Sequence, residues 1–288
     1  MRTYGATVAE AAKRLAREGI ADARLEAEVL LAEVARVSRS AVLASARDPL
    51  PAEIETRLNE LVERRLRREP LAYILGRREF FGREFLVSPD VLIPRPETEL
   101  LVHKAIALMA GQERPLVVDV GTGSGAIGLS VLAENDDALL LATDISVAAV
   151  RVARENARLL RLEDRAAFVV CDLLAGIRRP PHVNLLVASN LPYVPVERAT
   201  RLQPEVREFE PHVALFASDA GLQLIGRLLG TLGDILQPGE YALLEIDEEQ
   251  GATAAGLARQ LLPDFGLSLH RDSSDEDRML QLRKGIST

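Results

Sequence analysis

Leu116-Val117-Val118-Asp119-Val120-Gly121-Thr122-Gly123-Ser124-Gly125 reads as a short apolar strand that runs into a glycine-rich turn. A brief apolar run closed by glycine suits a strand covered on both faces, and the residues that follow, Ser124 to Ala133, carry a helical pattern. Beyond them strand and helix patterns keep alternating: strand 138–143, helix 146–160, strand 166–170, strand 184–188, helix 222–236, strand 241–246, helix 249–261, and weaker strands near Leu267 and Met279. That alternation predicts an α/β fold, a doubly wound, mostly parallel sheet that binds its ligand at the carboxyl ends of the strands.

The glycine turn does not by itself name the ligand. Gly123-Ser124-Gly125-Ala126-Ile127-Gly128 also fits the dinucleotide fingerprint GxGxxG, so a nicotinamide cofactor has to be weighed against a methyl donor. In either case Asp144, at the end of the second strand, is placed to accept ribose hydroxyls. Asp119 separates the two. A carboxylate just ahead of the loop repels a pyrophosphate, whereas the cationic methionine part of S-adenosylmethionine tolerates it, through water or loop backbone. The predicted cofactor-binding set is Asp119, Gly121, Thr122, Gly123, Ser124, Gly125, Asp144, Asp172, Leu173 and Asn190. Asp172 is placed to accept from an adenine amine and Leu173 to pack on the purine face. Plainer readings stand beside these: a buried strand-end Asp119, a helix-capping Asp144, and ordinary loop residues at 172 and 173.

Downstream, the apolar run Val183 to Ala188 ends in Ser189-Asn190-Leu191-Pro192-Tyr193. An amide nitrogen has a delocalised lone pair and attacks poorly, so an enzyme that alkylates it must hold it. An Asn side-chain oxygen and the next backbone carbonyl can accept both N–H hydrogens, fixing the nitrogen and favouring the charge that develops on it. Pro192 fixes its own φ and pushes Leu191 toward extended backbone; Tyr193 offers a flat wall with a polar tip. Asn190, Leu191, Pro192 and Tyr193 are therefore the candidate catalytic residues. The fourth strand of such a sheet lies beside the first, which brings this turn to the glycine loop.

Residues 1–70 carry almost no strand signal, and their helical spacing (Val8, Ala11, Ala12, Leu15; then Leu25, Val29, Leu30, Val34) predicts a small all-α N-terminal domain. Thr7 with Glu10 has capping-box spacing, Asp22 is placed to cap a second helix and Pro51 to open a fourth. Residues 71–92, with Tyr73-Ile74-Leu75 and Phe80-Phe81 broken by Gly76 and Gly82, read as a β-hairpin linker to a domain spanning 93–288. Two prolines in Pro94-Arg95-Pro96 delay the next helix to about Glu97.

Composition narrows the function classes. A formal net charge of −8 argues against direct nucleic-acid binding driven by phosphate neutralisation. The longest apolar runs, such as Ala105 to Ala110, are far shorter than the roughly 20 residues of a membrane helix, and Glu10, Lys13 and Arg14 interrupt any signal-like start, so a cytoplasmic location without membrane contact is expected. Cys171 is the single cysteine and reads as a small buried thiol; four scattered histidines offer no metal spacing. The arginines at 64, 65, 67 and 68 suit a helix C-terminus.

Taken together, Glu69 to Gly76, Glu79 to Gly82, Leu92 to Glu99, Gly121 to Gly125 and Asn190 to Tyr193 resemble the release factor glutamine methyltransferases, the PrmC or HemK family, over nearly the whole chain. The resemblance implies a Rossmann-like class I methyltransferase domain that uses S-adenosyl-L-methionine to methylate the glutamine amide of a Gly-Gly-Gln motif in class I peptide chain release factors. It implies further that Gly121 to Gly125, Asp144 and Leu173 bind the donor, that Asn190 through Tyr193 hold the amide, and that the helical domain contacts the release factor. The segment Pro94 to Glu99 separates this family from adenine methyltransferases with similar turns; an adenine methyltransferase and a non-catalytic binding module are the competing readings. Three positions depart from the family pattern. Leu191 stands where proline is usual, so retained activity with a less rigid turn is expected; Asp247 and Ser218 replace glycines and raise questions of loop geometry.

Overall fold

The structure is a computed structural model that describes residues 2–285. Its chain forms two compact units. One holds the chain up to Gly76 together with Gln203–Phe209; the other holds Arg77–Leu202 and the chain from Glu210 onward.

The first unit is helical: α1 (Tyr4–Arg17), α2 (Ala23–Ala35), α3 (Arg39–Ala44), α4 (Ala52–Leu66) and α5 (Leu71–Leu75). Val8 and Leu15 of α1, Leu30 and Leu31 of α2, and Leu58 and Val62 of α4 form its core. Local details differ from the sequence expectations. Thr3, not Thr7, caps α1, accepting from the Ala6 amide, because the helix starts a turn earlier. Asp22 sits at the N-cap of α2 but its carboxyl makes no capping bond, and Leu25 is exposed because the buried stripe runs through Ala23, Ala27, Leu30 and Leu31. Tyr73-Ile74-Leu75 belongs to α5, which Gly76 ends with a left-handed φ of 72°, so the hairpin begins only at Arg77. Gln203–Phe209, expected within 93–288, belongs instead to the helical unit. Glu205 explains why: it accepts from Arg65 at 2.9 Å and from Arg68 at 2.8 Å, and Arg65 also pairs with Glu26 at 2.5 Å. Arg65 and Arg68 thus form an internal clamp on Glu205, beyond any complement to a helix dipole.

The second unit opens with the hairpin β1 (Arg77–Phe80) and β2 (Arg83–Leu86), then α6 (Glu99–Met109), β3 (Leu116–Val120), α7 (Ala126–Ala133), β4 (Leu139–Asp144), α8 (Val147–Leu159), β5 (Ala166–Val170) and β6 (Leu185–Ser189). After the short β7 (Val194–Pro195), α9 (Pro204–Phe209, in the helical unit) and β8 (Phe216–Ala217) come α10 (Gln223–Ile235), β9 (Tyr241–Glu245), α11 (Gly251–Leu261), β10 (Phe265–Arg271) and β11 (Asp277–Lys284). The main sheet has seven strands in the order β10-β11-β9-β6-β3-β4-β5; the pairs from β9 to β5 are parallel, and β11 is antiparallel to both neighbours.

Alternation along the buried strands sends side chains to two cores. Val118, Val120, Val187 and Leu244 meet Leu228, Leu229 and Leu232 of α10 on one face, and Val117, Leu186 and Leu243 meet Leu101, Met109 and Leu132 on the other. From β3 the chain steps outward to β4 and β5, then returns to lay β6 on the opposite side of β3. Strand order reverses there, and a crevice opens beyond the carboxyl ends of β3 and β6. Among the described residues no helix is long and apolar enough to cross a membrane.

Candidate active site

Pairing of β3 with β6 sets Val120 opposite Ser189, so the glycine loop and the Asn190 turn leave the sheet side by side. The Ser189 hydroxyl donates to the Val120 carbonyl at 2.7 Å, and the Gly121 and Thr122 amides both donate to the Thr143 carbonyl of β4 at 2.9 Å. Gly121 has φ +73°, and a Cβ there would meet Leu191 Cδ2 at 2.9 Å, so this position is glycine for both conformation and space.

A cavity of about 310 Å³ opens at this crevice, lined by the glycine loop, Asp144, Asp172, Leu173 and the Asn190 turn. Its size lies at the lower end of small-molecule sites. Of the sequence-predicted residues, Gly121, Thr122, Gly123, Ser124, Asp144, Asp172, Leu173, Asn190, Leu191 and Pro192 line it; Asp119, Gly125 and Tyr193 do not.

Asp119 is fully buried, and its Oδ2 accepts from the Thr122 hydroxyl at 2.7 Å and the Gly128 amide at 3.0 Å. Burial pushes its pKa up to about 6, against the pull of those two donors. It fastens the loop from below and does not line the cavity. The physical reason is register: alternate residues of a doubly covered strand point into the two cores, not toward the strand end.

Asp144 does line the cavity. Its two oxygens accept from the Gly123 and Ser146 amides, both at 2.9 Å; burial raises its pKa, and these backbone donors hold it down. The Ile145 amide also donates to this carboxylate, which leaves it one acceptor position for a further donor. Ile145 beside it lines the cavity at 58 % exposure, an apolar wall no sequence pattern pointed out. Asp172 pairs with Arg227 of α10 at 2.7 Å. Cys171 is only half-buried, its Sγ 3.4 Å from the Leu173 carbonyl.

The acceptor turn is held at four points, and three of the partners were not legible beforehand. Asn190 Nδ2 donates to Thr98 Oγ1 at 3.1 Å; no described residue donates to Asn190 Oδ1 or to the Leu191 carbonyl. Leu191 is buried in the core beneath α10. The Tyr193 hydroxyl donates to Glu245 Oε1 at 3.2 Å, and burial raises its pKa well beyond the ordinary tyrosine value. Gln250 Nε2 donates to the Tyr193 carbonyl at 3.1 Å and to the Ala220 carbonyl at 2.9 Å. Gly221, with φ +84°, lies against that same carbonyl, where a Cβ would come within 1.9 Å.

A buried Asn156 joins the hairpin to the glycine loop, donating to the carbonyls of Leu86 at 3.0 Å and Ser124 at 2.8 Å while accepting from the Leu86 amide at 2.7 Å. Arg95 lines the cavity and pairs at 2.6 Å with the buried Glu210. The two glycine replacements cause no strain: Asp247 has φ −68° and caps the following turn in a capping box with Gln250, and the Ser218 hydroxyl bonds Gln223 Oε1 at 2.6 Å.

Two family models match the chain: the PrmC N-terminal domain over residues 6–76 and the methyltransferase small domain over residues 97–201. A release factor glutamine methyltransferase of Nitratidesulfovibrio vulgaris is 37 % identical over 279 residues, 96 % of this chain and 93 % of the relative. The chain belongs to the release factor glutamine methyltransferase family. The family member from Bordetella pertussis is 41 % identical over 237 residues, covering 82 % of this chain and 86 % of that one. Among solved structures, a methyltransferase from Pyrococcus furiosus aligns with a TM-score of 0.52 at 16 % identity, covering 72 % of this chain and 91 % of that one. The N-terminal domain of human METTL16 in complex with SAH aligns at 0.52 and 17 % identity, covering 75 % and 81 %. At these identities the two structures share the fold.

Proposed function

We propose that this chain methylates the side-chain amide of the glutamine in the Gly-Gly-Gln motif of class I peptide chain release factors, with S-adenosyl-L-methionine as donor. One observation carries the reading: Asn190 and Leu191 line the same cavity as the glycine loop, and no described residue donates to Asn190 Oδ1 or to the Leu191 carbonyl.

The donor-side lining suits S-adenosylmethionine. The close approach of backbone at Gly121, the remaining acceptor position of Asp144 and the exposed Ile145 offer, in turn, room for the amino-acid part, an acceptor for the ribose and a wall for the adenine. Leu173 and Asp172 complete that end, and Asp119 acts at one remove, by fixing Thr122. When bound, S-adenosylmethionine supplies an electrophilic methyl group on a sulfonium.

The chain's own task is to present the nitrogen. Asn190 Oδ1 and the Leu191 carbonyl each take one amide hydrogen, which turns the nitrogen toward the donor and favours positive charge as it is alkylated. Pro192 and the anchored Tyr193 keep that pair of acceptors in place. The helical unit, with its family-specific sequence, is the release-factor-contacting part, and modification of a translation factor sets the work in the cytoplasm.

The test is methyl transfer from labelled S-adenosylmethionine to a purified class I release factor, beside a factor whose Gly-Gly-Gln glutamine is alanine, and beside RNA and DNA. Label on the first alone supports the proposal; label on nucleic acid, or on the alanine factor, refutes it.

A further inference from the structure

Glu245, the last residue of β9, is a carboxylic acid at 2 % exposure that the chemistry above does not use. Its Oε1 accepts from the Tyr193 hydroxyl, while Oε2 is buried without a hydrogen-bond partner. Leaving such an oxygen unpaired is unfavourable, so the residues around it matter. The Thr98 hydroxyl and the Tyr193 hydroxyl lie close enough to favour the ionised form, as does the Arg278 guanidinium of β11; Glu97 opposes it, and Asp247 adds negative charge beside Tyr193. Against these, burial is the largest influence and pushes the Glu245 pKa up to about 7.

Thr98 stands between Glu245, whose ionised form its hydroxyl favours, and the turn at Asn190, whose Nδ2 donates to Thr98 Oγ1 at 3.1 Å. A hydroxyl has a single proton, and where that proton points decides what its oxygen can do. With the proton turned onto an ionised Glu245, Thr98 Oγ1 can only accept. The Asn190 amide must then face it with Nδ2, which leaves Oδ1 toward the cavity. Were Glu245 protonated, its own O–H could donate to Thr98, freeing the Thr98 proton for Asn190 Oδ1; the amide would turn over and offer the substrate a donor where an acceptor is required.

We propose that Glu245 is the positioning residue of the acceptor turn, setting through Thr98 which way round the Asn190 amide stands and fixing the far end of the turn through Tyr193. This rests on the reading of Asn190 as the amide acceptor. All four groups lie in the α/β unit, and the relay gives a physical role to Thr98 within the Pro94 to Glu99 segment.

The test compares wild type with Glu245→Gln and Thr98→Val in glutamine methylation between pH 6 and 8.5, with S-adenosylhomocysteine affinity and melting as controls. In wild type kcat should rise with pH across the neutral range. Glu245→Gln, which keeps the shape but cannot ionise, should lower kcat at least 30-fold and abolish that rise, with inhibitor affinity changed less than threefold. Thr98→Val should lower kcat comparably, and the double variant no further. A folded Glu245→Gln with wild-type kcat and pH profile overturns the proposal; if that variant does not fold, wild-type kcat in Thr98→Val overturns it. Asn190→Ala separates the layers: inactivity with both other variants at wild-type level refutes only the role of Glu245, whereas full activity of Asn190→Ala refutes the underlying reading as well.

Discussion

Leu191 lies directly over Gly121, close enough that a single added carbon on the glycine would come within 2.9 Å of Leu191 Cδ2. The residue that departs from the usual turn sequence therefore packs the turn at Asn190 against the glycine loop. Gly121→Ala meets this contact and a left-handed φ of +73° together. Calorimetric titration with S-adenosylhomocysteine should show at least tenfold weaker binding, accompanied by a lower melting temperature. Leu191→Pro removes an apolar side chain from the core without breaking a backbone hydrogen bond, since the Leu191 amide donates to no described acceptor. It should melt lower yet keep turnover within a few-fold.

Glu210 depends on Arg95 for its charge. It is almost completely buried, burial raises its pKa, and the guanidinium opposes that shift. Arg95→Ala leaves a carboxyl with only the Ile93 amide as donor and should cost about 2–4 kcal/mol in urea unfolding. Converting both residues to apolar ones should recover much of the loss.

Arg65 plays the same part in the helical unit, buried between Glu26 and Glu205. Arg65→Ala should destabilise that unit by about 3 kcal/mol. Hydrogen exchange should show amides 206–209 losing protection before those of α1 and α2, because Glu205 is the anchor of α9.

Asp119 should make stability fall as pH rises. An unfolded aspartate loses its proton near 4, the folded one near 6, so between those values the folded state holds the extra proton and is favoured at the acid end. The contribution is complete below about 4 and gone above about 6. Asp144, Glu210 and Glu245 are raised too and slope the same way. Urea unfolding from pH 4 to 7 should show the difference between Asp119→Asn and wild type shifting toward the variant by roughly 2–3 kcal/mol as pH rises.

What the sequence revealed followed from local signals. Strands such as Leu116–Val120 and Leu185–Ser189 announce themselves by apolar runs, the donor loop by its glycines, the acceptor turn by its order of residues. What stayed hidden depends on partners remote in sequence. Thr98 meets Asn190 across 92 positions, and Gln250 meets the Tyr193 carbonyl across 57, so no window around either residue carries the signal. Asp119 was legible as an acid at the loop but not as one turned away from the cavity, since strand orientation is fixed only by packing on both faces. Tyr73-Ile74-Leu75 has a strand-like composition and folds as a helix because Pro70 starts the turn and Gly76 stops it.

Whether Asn190 holds the amide beside a separately assembled donor site is read from Asn190→Ala. With saturating S-adenosylmethionine and a class I release factor, kcat should fall about 10²–10³-fold or more while S-adenosylhomocysteine affinity stays within a few-fold. A folded Asn190→Ala protein that turns over within tenfold of wild type would contradict it.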